Sequence, residues 1–561
     1  MLEHRKPSFN LLNRNWRAFA LPLFLFGLAV VLRFLPGART IDDAFITFRY
    51  ARNILAGNGF VYNPGEHVLG TTTPFYTILL TGTGAFLGGT QAPFPQIALA
   101  LNALADGLTA VMLLDLGRRL SSKLAGAAAG LAWAVAPFSV TFAIGGLETS
   151  VYVALLVGIA WAYLDKRRKL AALLGVLALL TRPDALILLG PLALDRAWVT
   201  IKPWITRRDA VGQDLFVEAA AGSAPEALIF LLPAASWVLF ATFYFGSPIP
   251  HSIAAKSVAY RLPENTALVR LLQHYATPFM ENLTFGVPAI AAGMILYLFL
   301  YLVGVRKALR VTPRAWPFVA FPWLYFAAFA LANPLIFRWY LTPPLPFYTL
   351  IILLGAFHLL ENLAPGRPPE PDSESTPARR RFQPGTAVLS ILLIAPALLN
   401  LHGWKLHPDH GLSRPAPEMA WYQLELLYRE ASQTVNQAVG PAAAPLPVLA
   451  AGDVGVLGYF TGTRILDTVG LNSPQTINYY PVDPDYYASI YAIPPDLIVD
   501  FKPDYVVILE VYGRNGLLKD PRFQKTYRLL RKLPTDIYDS DGMLVFEAVH
   551  RSLAGQTPGE P

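Results

Sequence analysis

Apolar residues in this chain come in long unbroken blocks, and the blocks recur from Leu21 to about Leu401. A block near the roughly 20 residues that cross hydrocarbon predicts a membrane-spanning helix. The pattern places such helices at about 18–36, 96–117, 124–143, 147–165, 170–181, 185–200, 226–246, 285–305, 316–333, 340–361 and 384–401, eleven in all. Beyond Leu401 the blocks stop. Strand-like runs at 447–451, 505–509 and 543–548, with a helical run over about 418–439, predict a small α/β domain there. The expected fold is a polytopic α-helical membrane protein: a membrane domain at 1–401, with a first outer loop at 37–95, and a soluble α/β domain at 402–561.

Charge placement orients these spans. With the N-terminus inside, Arg118, Arg119 and Lys123, the run 166–169, and Arg306, Lys307, Arg310 and Arg314 all fall on the inner side, and fewer basic residues fall outside. An odd number of spans then puts 402–561 outside the cytoplasm, in a multi-pass protein of the cell membrane. The apolar segment 73–87 would reverse every later loop if it crossed. It is therefore expected as an interfacial or re-entrant helix on the outer face, with Thr73 as N-cap and Pro74 first in the helix. The pair at 170–200 is short and turns at Arg182, Pro183 and Asp184. Such spans either line a cavity or mark a proline break. Arg5, Lys6, Arg14 and Arg17 precede the first block, which no small-residue cleavage site follows, so a retained first span is expected. The stretch 364–384, rich in Pro, Glu, Ser and Arg, reads as a linker.

Composition narrows the function classes. Hydrophobic residues make up 54% of the chain and charged ones only 15%, so the bilayer is the first partner. The net charge of +7 sits in short loops between spans, which points to membrane orientation and not to nucleic acid. There is no cysteine, hence no disulfide, thiolate metal site or Cys nucleophile.

The densest chemistry lies in the first outer loop. Asp42 and Asp43 leave the first span and are expected to cap an amphipathic helix running to about Ala56, which Gly57 to Gly59 stop before a turn at Asn63-Pro64-Gly65. Capping accounts for one of the two carboxylates. The other, at the mouth of a membrane cavity, is a natural general base. Adjacent carboxylates could also hold a divalent cation, although a metal is not favoured and no other cofactor is expected.

Asp42 to Asn53, Gly57-Asn58-Gly59 and Asn63-Pro64-Gly65-Glu66 together resemble the first outer loop of bacterial GT-C glycosyltransferases related to mycobacterial terminal arabinofuranosyltransferases. They are more distantly similar to protein O-mannosyltransferases and to the aminoarabinose transferase of lipid A. Gly145-Gly146-Leu147-Glu148, Thr181-Arg182-Pro183-Asp184, Phe245-Gly246-Ser247-Pro248-Ile249-Pro250 with Ala255-Lys256, and Arg338-Trp339-Tyr340-Leu341 extend the likeness along the chain. All of these fall on outer loops in the topology set by Lys and Arg alone. His251 departs from the Asn expected of the family.

The resemblance implies a polyprenyl-phosphate-linked sugar donor and an acceptor hydroxyl on an envelope glycan, lipid or protein. Asp42 or Asp43 would take the acceptor's proton as it attacks opposite the phosphate, with inversion. Arg338, Lys256 or Arg182 would hold the departing phosphate, and Glu148, Asp184 and His251 would contact substrate. Plainer roles exist for each: a snorkelling Arg338, a solvated Lys256, an Arg182 paired with Asp184 or Glu148, and a Glu148 that only favours a helix N-terminus. Neither a DxD sequence beside this loop nor the WWD signature of oligosaccharyltransferases is present, which favours monosaccharide transfer. The alternative from another class is a transporter or flippase for lipid-linked sugars, for which inverted repeats would speak; none is visible. In the outer domain, the glycines of 452–458 are expected to form a tight turn, and Asp453 and Asp467 to cap turns or touch a sugar. The tyrosines of 479–491 would stack on a glycan or pack on the membrane domain.

Overall fold

A computed structural model describes residues 12–206, 210–280, 286–363, 384–405, 414–440 and 446–549. The linker expected at 364–384 lies almost wholly outside them. Helices run over α1 Leu12–Phe34, α2 Asp42–Leu55, α3 Pro74–Phe86, α4 Phe94–Leu120, α5 Lys123–Val135, α6 Pro137–Ile144, α7 Thr149–Leu164 and α8 Arg168–Thr181. They continue with α9 Leu186–Thr206, α10 Ala210–Phe245, α11 His251–Ala259, α12 Thr266–Ala276, α13 Val287–Val311, α14 Trp316–Ala332, α15 Leu345–Leu363 and α16 Pro384–Asn400.

Every stretch expected to span is thus helical, with one broken. Pro137 has no N–H to donate into the preceding turn, and α5 and α6 meet at 45°. Among the described residues five helices are long and apolar enough to cross a membrane, or six if that bent pair is one span. The remaining expected spans are shorter or less apolar. The chain is a multi-pass membrane protein by these helices. The most apolar windows of α10 and α13 are only 6% and 11% buried inside the protein, so both helices sit at the rim of the bundle. Those of α4 and α15 are 67% and 72% buried and form the centre.

Glycines let a rim helix touch a central one. A Cβ on Gly355 would lie 1.9 Å from the Leu300 carbonyl oxygen, and one on Gly304 2.0 Å from that of Ile351, so α13 and α15 meet backbone to backbone. A buried ion pair ties α1 to α4. Arg33 Nε donates to Asp106 at 3.0 Å, and Trp133 Nε1 and Ser150 Oγ also donate to that carboxylate.

Downstream, β1 Trp404–Lys405 and β2 Ala416–Pro417 form a small antiparallel pair, and α17 Ala420–Val439 follows. Then come β3 Val448–Ala451, α18 Gly455–Thr461, β4 Arg464–Asp467, β5 Tyr505–Leu509, β6 Tyr527–Leu533 and β7 Met543–Ala548. The main sheet has the order β4-β3-β5-β7-β6, parallel across its first three strands and antiparallel across the last two. The three strands read from the sequence are present, and β4 and β6 join them. β6 carries Arg528, Arg531 and Lys532 and exposes most of its length, so its pattern hides a strand while its charges protect the sheet edge.

α2 joins the two halves. Phe45, Arg49 and Arg52 recur along one face and meet α18. Arg49 donates to the carbonyl oxygens of Tyr62, Gly458 and Thr463, and the Arg52 guanidinium lies 3.4 Å from the Tyr459 ring centre. Gly452 stands in the bend that follows β3, and none of the glycines of 452–458 has positive φ. They make room: a Cβ on Gly455 would lie 1.7 Å from the Asp42 carbonyl oxygen, and one on Gly458 2.0 Å from the Tyr62 hydroxyl. Gly455→Ala should accordingly destabilise the protein by about 1–3 kcal/mol through overpacking. Gly190→Ala, on a helix with open space at that position, should gain up to about 1 kcal/mol. Thermal unfolding in detergent measures both.

Candidate functional site

The segment before α2 is fixed first. Arg39 N and Ile41 N donate to the carbonyl oxygens of Ile144 and Gly145, and Ile41, in extended conformation, is the N-cap. Asp42 and Asp43 are thus the first two helical residues and not the cap expected of them. Carboxylates suit this turn, whose N–H groups have no partner within the helix.

Consecutive helical residues point about 100° apart, and this divides the pair. Asp42 faces the sheet: its Oδ2 accepts from Gly455 N at 2.8 Å and its Oδ1 from Val456 N at 2.7 Å. Burial, and next the nearby Asp453 carboxylate, push the Asp42 carboxyl well above the usual carboxylate range, against the pull of those two N–H groups. Asp43 instead lines a cavity of about 640 Å³, together with Ile46 and Thr47 one turn on.

The cavity is built from several elements. The loop before α3 gives Thr71, Thr72 and Thr73; the start of α7 gives Glu148; the α8–α9 turn gives Arg182 and Asp184; α11 gives Ser252 and Lys256; and Tyr260, Trp339, Tyr340 and Leu471 complete the wall. Pro183 ends α8 and leaves Arg182 extended. From there its guanidinium donates to Asp184 Oδ1 at 3.1 Å and Oδ2 at 3.2 Å, and to Glu148 Oε1 at 3.1 Å. Tyr325 also donates to Asp184 at 3.0 Å. One guanidinium thus binds two carboxyl groups, so Arg182 serves the pairing role among its two readings.

Lys256 differs. Its Nζ lies 4.8 Å from the Phe337 ring centre, and among the described residues it has no carboxylate partner. Arg338 stands outside the lining: its guanidinium is 5.7 Å from the Phe138 ring centre, while its neighbours Trp339 and Tyr340 face the cavity. His251 also stands outside. Its backbone N–H donates to Leu69 O, its buried Nε2 has no partner among the described residues, and burial lowers its proton affinity.

In the sheet domain Asp467 caps a turn, accepting from the backbone N–H groups of Val469, Gly470 and Asn472. Asp453 does not; Tyr428 donates its hydroxyl to it. Tyr480 and Tyr491 pack inward, Tyr491 against Tyr260 at 5.8 Å. Residues passed over in the sequence include Tyr260 and Ser252. The buried Ser252 hydroxyl has no partner among the described residues, and it lies one helical turn from Lys256. That i, i+4 spacing was the available signal.

Residues 418–548 match a family described as a domain of unknown function, DUF8728. Over 230 residues the chain is 31% identical to the terminal beta-(1->2)-arabinofuranosyltransferase of Mycobacterium tuberculosis. That stretch is 39% of this chain and 35% of the relative, so the match spans about a third of the curated protein. ArnT from Cupriavidus metallidurans in the apo state is similar in structure with a TM-score of 0.54 at 12% identity, covering 96% of this chain and 100% of that one. The same protein bound to undecaprenyl phosphate gives 0.51 at 14% identity with the same coverage. The Archaeoglobus fulgidus oligosaccharyltransferase gives 0.51 at 14%, covering 94% of this chain and 73% of that one. The chain has the fold of the GT-C membrane glycosyltransferases.

Removing the cation that joins the cavity's acidic wall should be costly. Arg182→Ala leaves Glu148 and Asp184 with no guanidinium between them and should lose about 3–5 kcal/mol. Adding Asp184→Asn should recover part of the loss in the same detergent melting experiment.

Proposed function

We propose that this protein is an inverting glycosyltransferase that moves a monosaccharide from a polyprenyl-phosphate donor to a hydroxyl on an envelope glycan, lipid or protein. The reaction would take place at the outer face of the cell membrane, with eleven spans, the N-terminus in the cytoplasm and residues 402–561 outside. The observation that carries this reading is the separation of charge in one cavity: the Asp43 carboxylate on one wall and, on another, a Lys256 ammonium with no carboxylate partner among the described residues.

A glycosyl phosphodiester carries a single negative charge, which one free ammonium matches by a charge-assisted bond. Asp43 takes the acceptor's proton as its oxygen attacks the anomeric carbon, the glycosidic C–O bond to phosphate breaks, and the phosphate leaves with the electron pair beside Lys256. Attack opposite the leaving group inverts the anomeric centre. Glu148 and Asp184 keep lone pairs for sugar hydroxyls while Arg182 fixes their positions. Asp42 holds the first turn of α2 in register, and Arg338 and His251 support the wall from behind. No step requires a metal in this reading.

A polyprenyl-phosphate arabinofuranose is the first donor to test, because the curated relative is an arabinofuranosyltransferase. Asp43→Asn should lower transfer by about a hundredfold or more without changing the melting temperature. Lys256→Ala should raise KM for the donor. Asp42→Asn turns an amide N–H toward the N–H groups of Gly455 or Val456 and should cost about 1–3 kcal/mol of stability. Undiminished transfer by folded Asp43→Asn would sink the assignment. A tag placed at Gly555 should be labelled only from outside intact cells.

A further inference from the structure

A second cavity, of about 650 Å³, lies at the far end of the bundle. Trp316 at the start of α14 lines it, and Ala332 at the end of α14 lines the cavity that holds Asp43. From Trp316 to Ala332 a helix rises about 24 Å at about 1.5 Å per residue, close to the roughly 30 Å of hydrocarbon that a span crosses. α14 with the turn before it is among the stretches apolar enough to do so. The two cavities therefore belong to opposite membrane surfaces, this one to the cytoplasmic surface in the topology proposed above.

α9 builds one wall, where Asp195, Trp198 and Lys202 recur at helical spacing on one face. Arg314, in the turn before α14, and Trp316 stand across from them. Asp195 is buried and committed: Trp316 Nε1 donates to its Oδ1 at 2.7 Å, and the Tyr163 hydroxyl donates to its Oδ2. These bonds tie α7, α9 and α14 into a floor. Arg196 is committed as well, to Glu226 of α10 at 3.0 and 3.2 Å. Lys202 and Arg314 are not, because among the described residues neither has a carboxylate partner, and both are exposed.

We propose that this cavity binds the headgroup of an anionic phospholipid of that leaflet, with its phosphate between Lys202 and Arg314. The guanidinium fork and the ammonium take phosphate oxygens by charge-assisted bonds. The source of the phosphate follows from a second stripe on α9. Leu194, Trp198, Ile201 and Ile205 recur at the same spacing, all exposed, and share Trp198 with the cavity face. An apolar surface thus runs along the helix up to the two cations. A soluble phosphate has no contact to make with that stripe, whereas acyl chains lie along it while the indoles of Trp198 and Trp316 sit at headgroup level. Arg306, Lys307 and Arg310, in the last turns of α13, add attraction from outside the cavity lining. The site is separate from the transfer cavity, and the inference does not depend on the transfer chemistry.

The test is native mass spectrometry of the full chain in detergent, titrated with phosphatidylglycerol and, separately, with the zwitterionic phosphatidylcholine. Phosphatidylglycerol should bind saturably, and phosphatidylcholine about tenfold more weakly or worse. Lys202→Ala with Arg314→Ala should raise the Kd for phosphatidylglycerol by about tenfold or more while leaving the lipid-free melting temperature unchanged. Lys202→Arg should keep the affinity. Arg306→Ala with Arg310→Ala removes the same charge from the same membrane surface but none from the cavity lining, and should leave the Kd unchanged. Equal losses in the two double variants overturn the proposal, because surface charge alone would then account for the binding. Displacement of the lipid by millimolar inorganic phosphate overturns it too, since the site would then serve a soluble anion.

Discussion

The docking of α2 between the membrane helices and the sheet is the constraint on which the site depends. Its outward face is held by a dense set of bonds that reach backbone groups of α18, and Asn63 extends the same seam. The Asn63 amide donates to Ile465 O at 2.9 Å and accepts from Ile465 N at 3.1 Å, imitating a neighbouring strand at the β4 edge. With that face fixed, helical geometry alone turns the next residue toward the cavity. Asp42 and Asp43 are adjacent in sequence and alike in chemistry, and only the docked partner makes them different.

Two buried charge groups show why an ion within a membrane protein needs its surroundings read before a role is given. Arg33 and Asp106 are fully enclosed, and the guanidinium also donates to the Ser139 hydroxyl and to the Ala29, Trp133 and Ala134 carbonyls. Nothing is left to meet a substrate, and the pair acts as a rivet between α1 and α4. Arg182 is also paired, but its two carboxyl partners border open volume. Lys256, in contrast, has no carboxylate partner among the described residues. The chemistry proposed for the cavity follows from Asp43 and Lys256, and the sealed rivet contributes stability alone.

Long apolar blocks made the membrane helices legible in the sequence, because length and hydropathy are one-dimensional properties. The α5–α6 bend was not, although Pro137 marked it. In the sheet domain β3, β5 and β7 were readable as buried runs, whereas β4, which opens on Arg464 and closes on Asp467, and β6, with three cations, are too charged for their patterns to stand out. The site was legible as a set of loops on one side. Which members face the cavity was not, since that depends on helical phase and on contacts between residues hundreds of positions apart. Arg338 and His251 illustrate the limit: each is next to a residue that lines the cavity, Trp339 and Ser252, and each side chain points elsewhere. The glycines of 452–458 show the same limit, as their lack of a side chain serves a partner surface that no local pattern reveals.

The seam between α2 and the sheet also bears on how the chain is made. Asp42 and Gly455 are 413 residues apart, so at ribosomal rates the loop leaves the ribosome roughly 20–80 s before its partner. During that interval the Asp42 carboxylate lacks its two N–H partners, and the Arg49 guanidinium has only Tyr62 and Asn63 of its own loop. A chain cut short before the last strands therefore carries an inserted helical bundle with an unassembled mouth, and the reactive constellation exists only in molecules whose synthesis has finished.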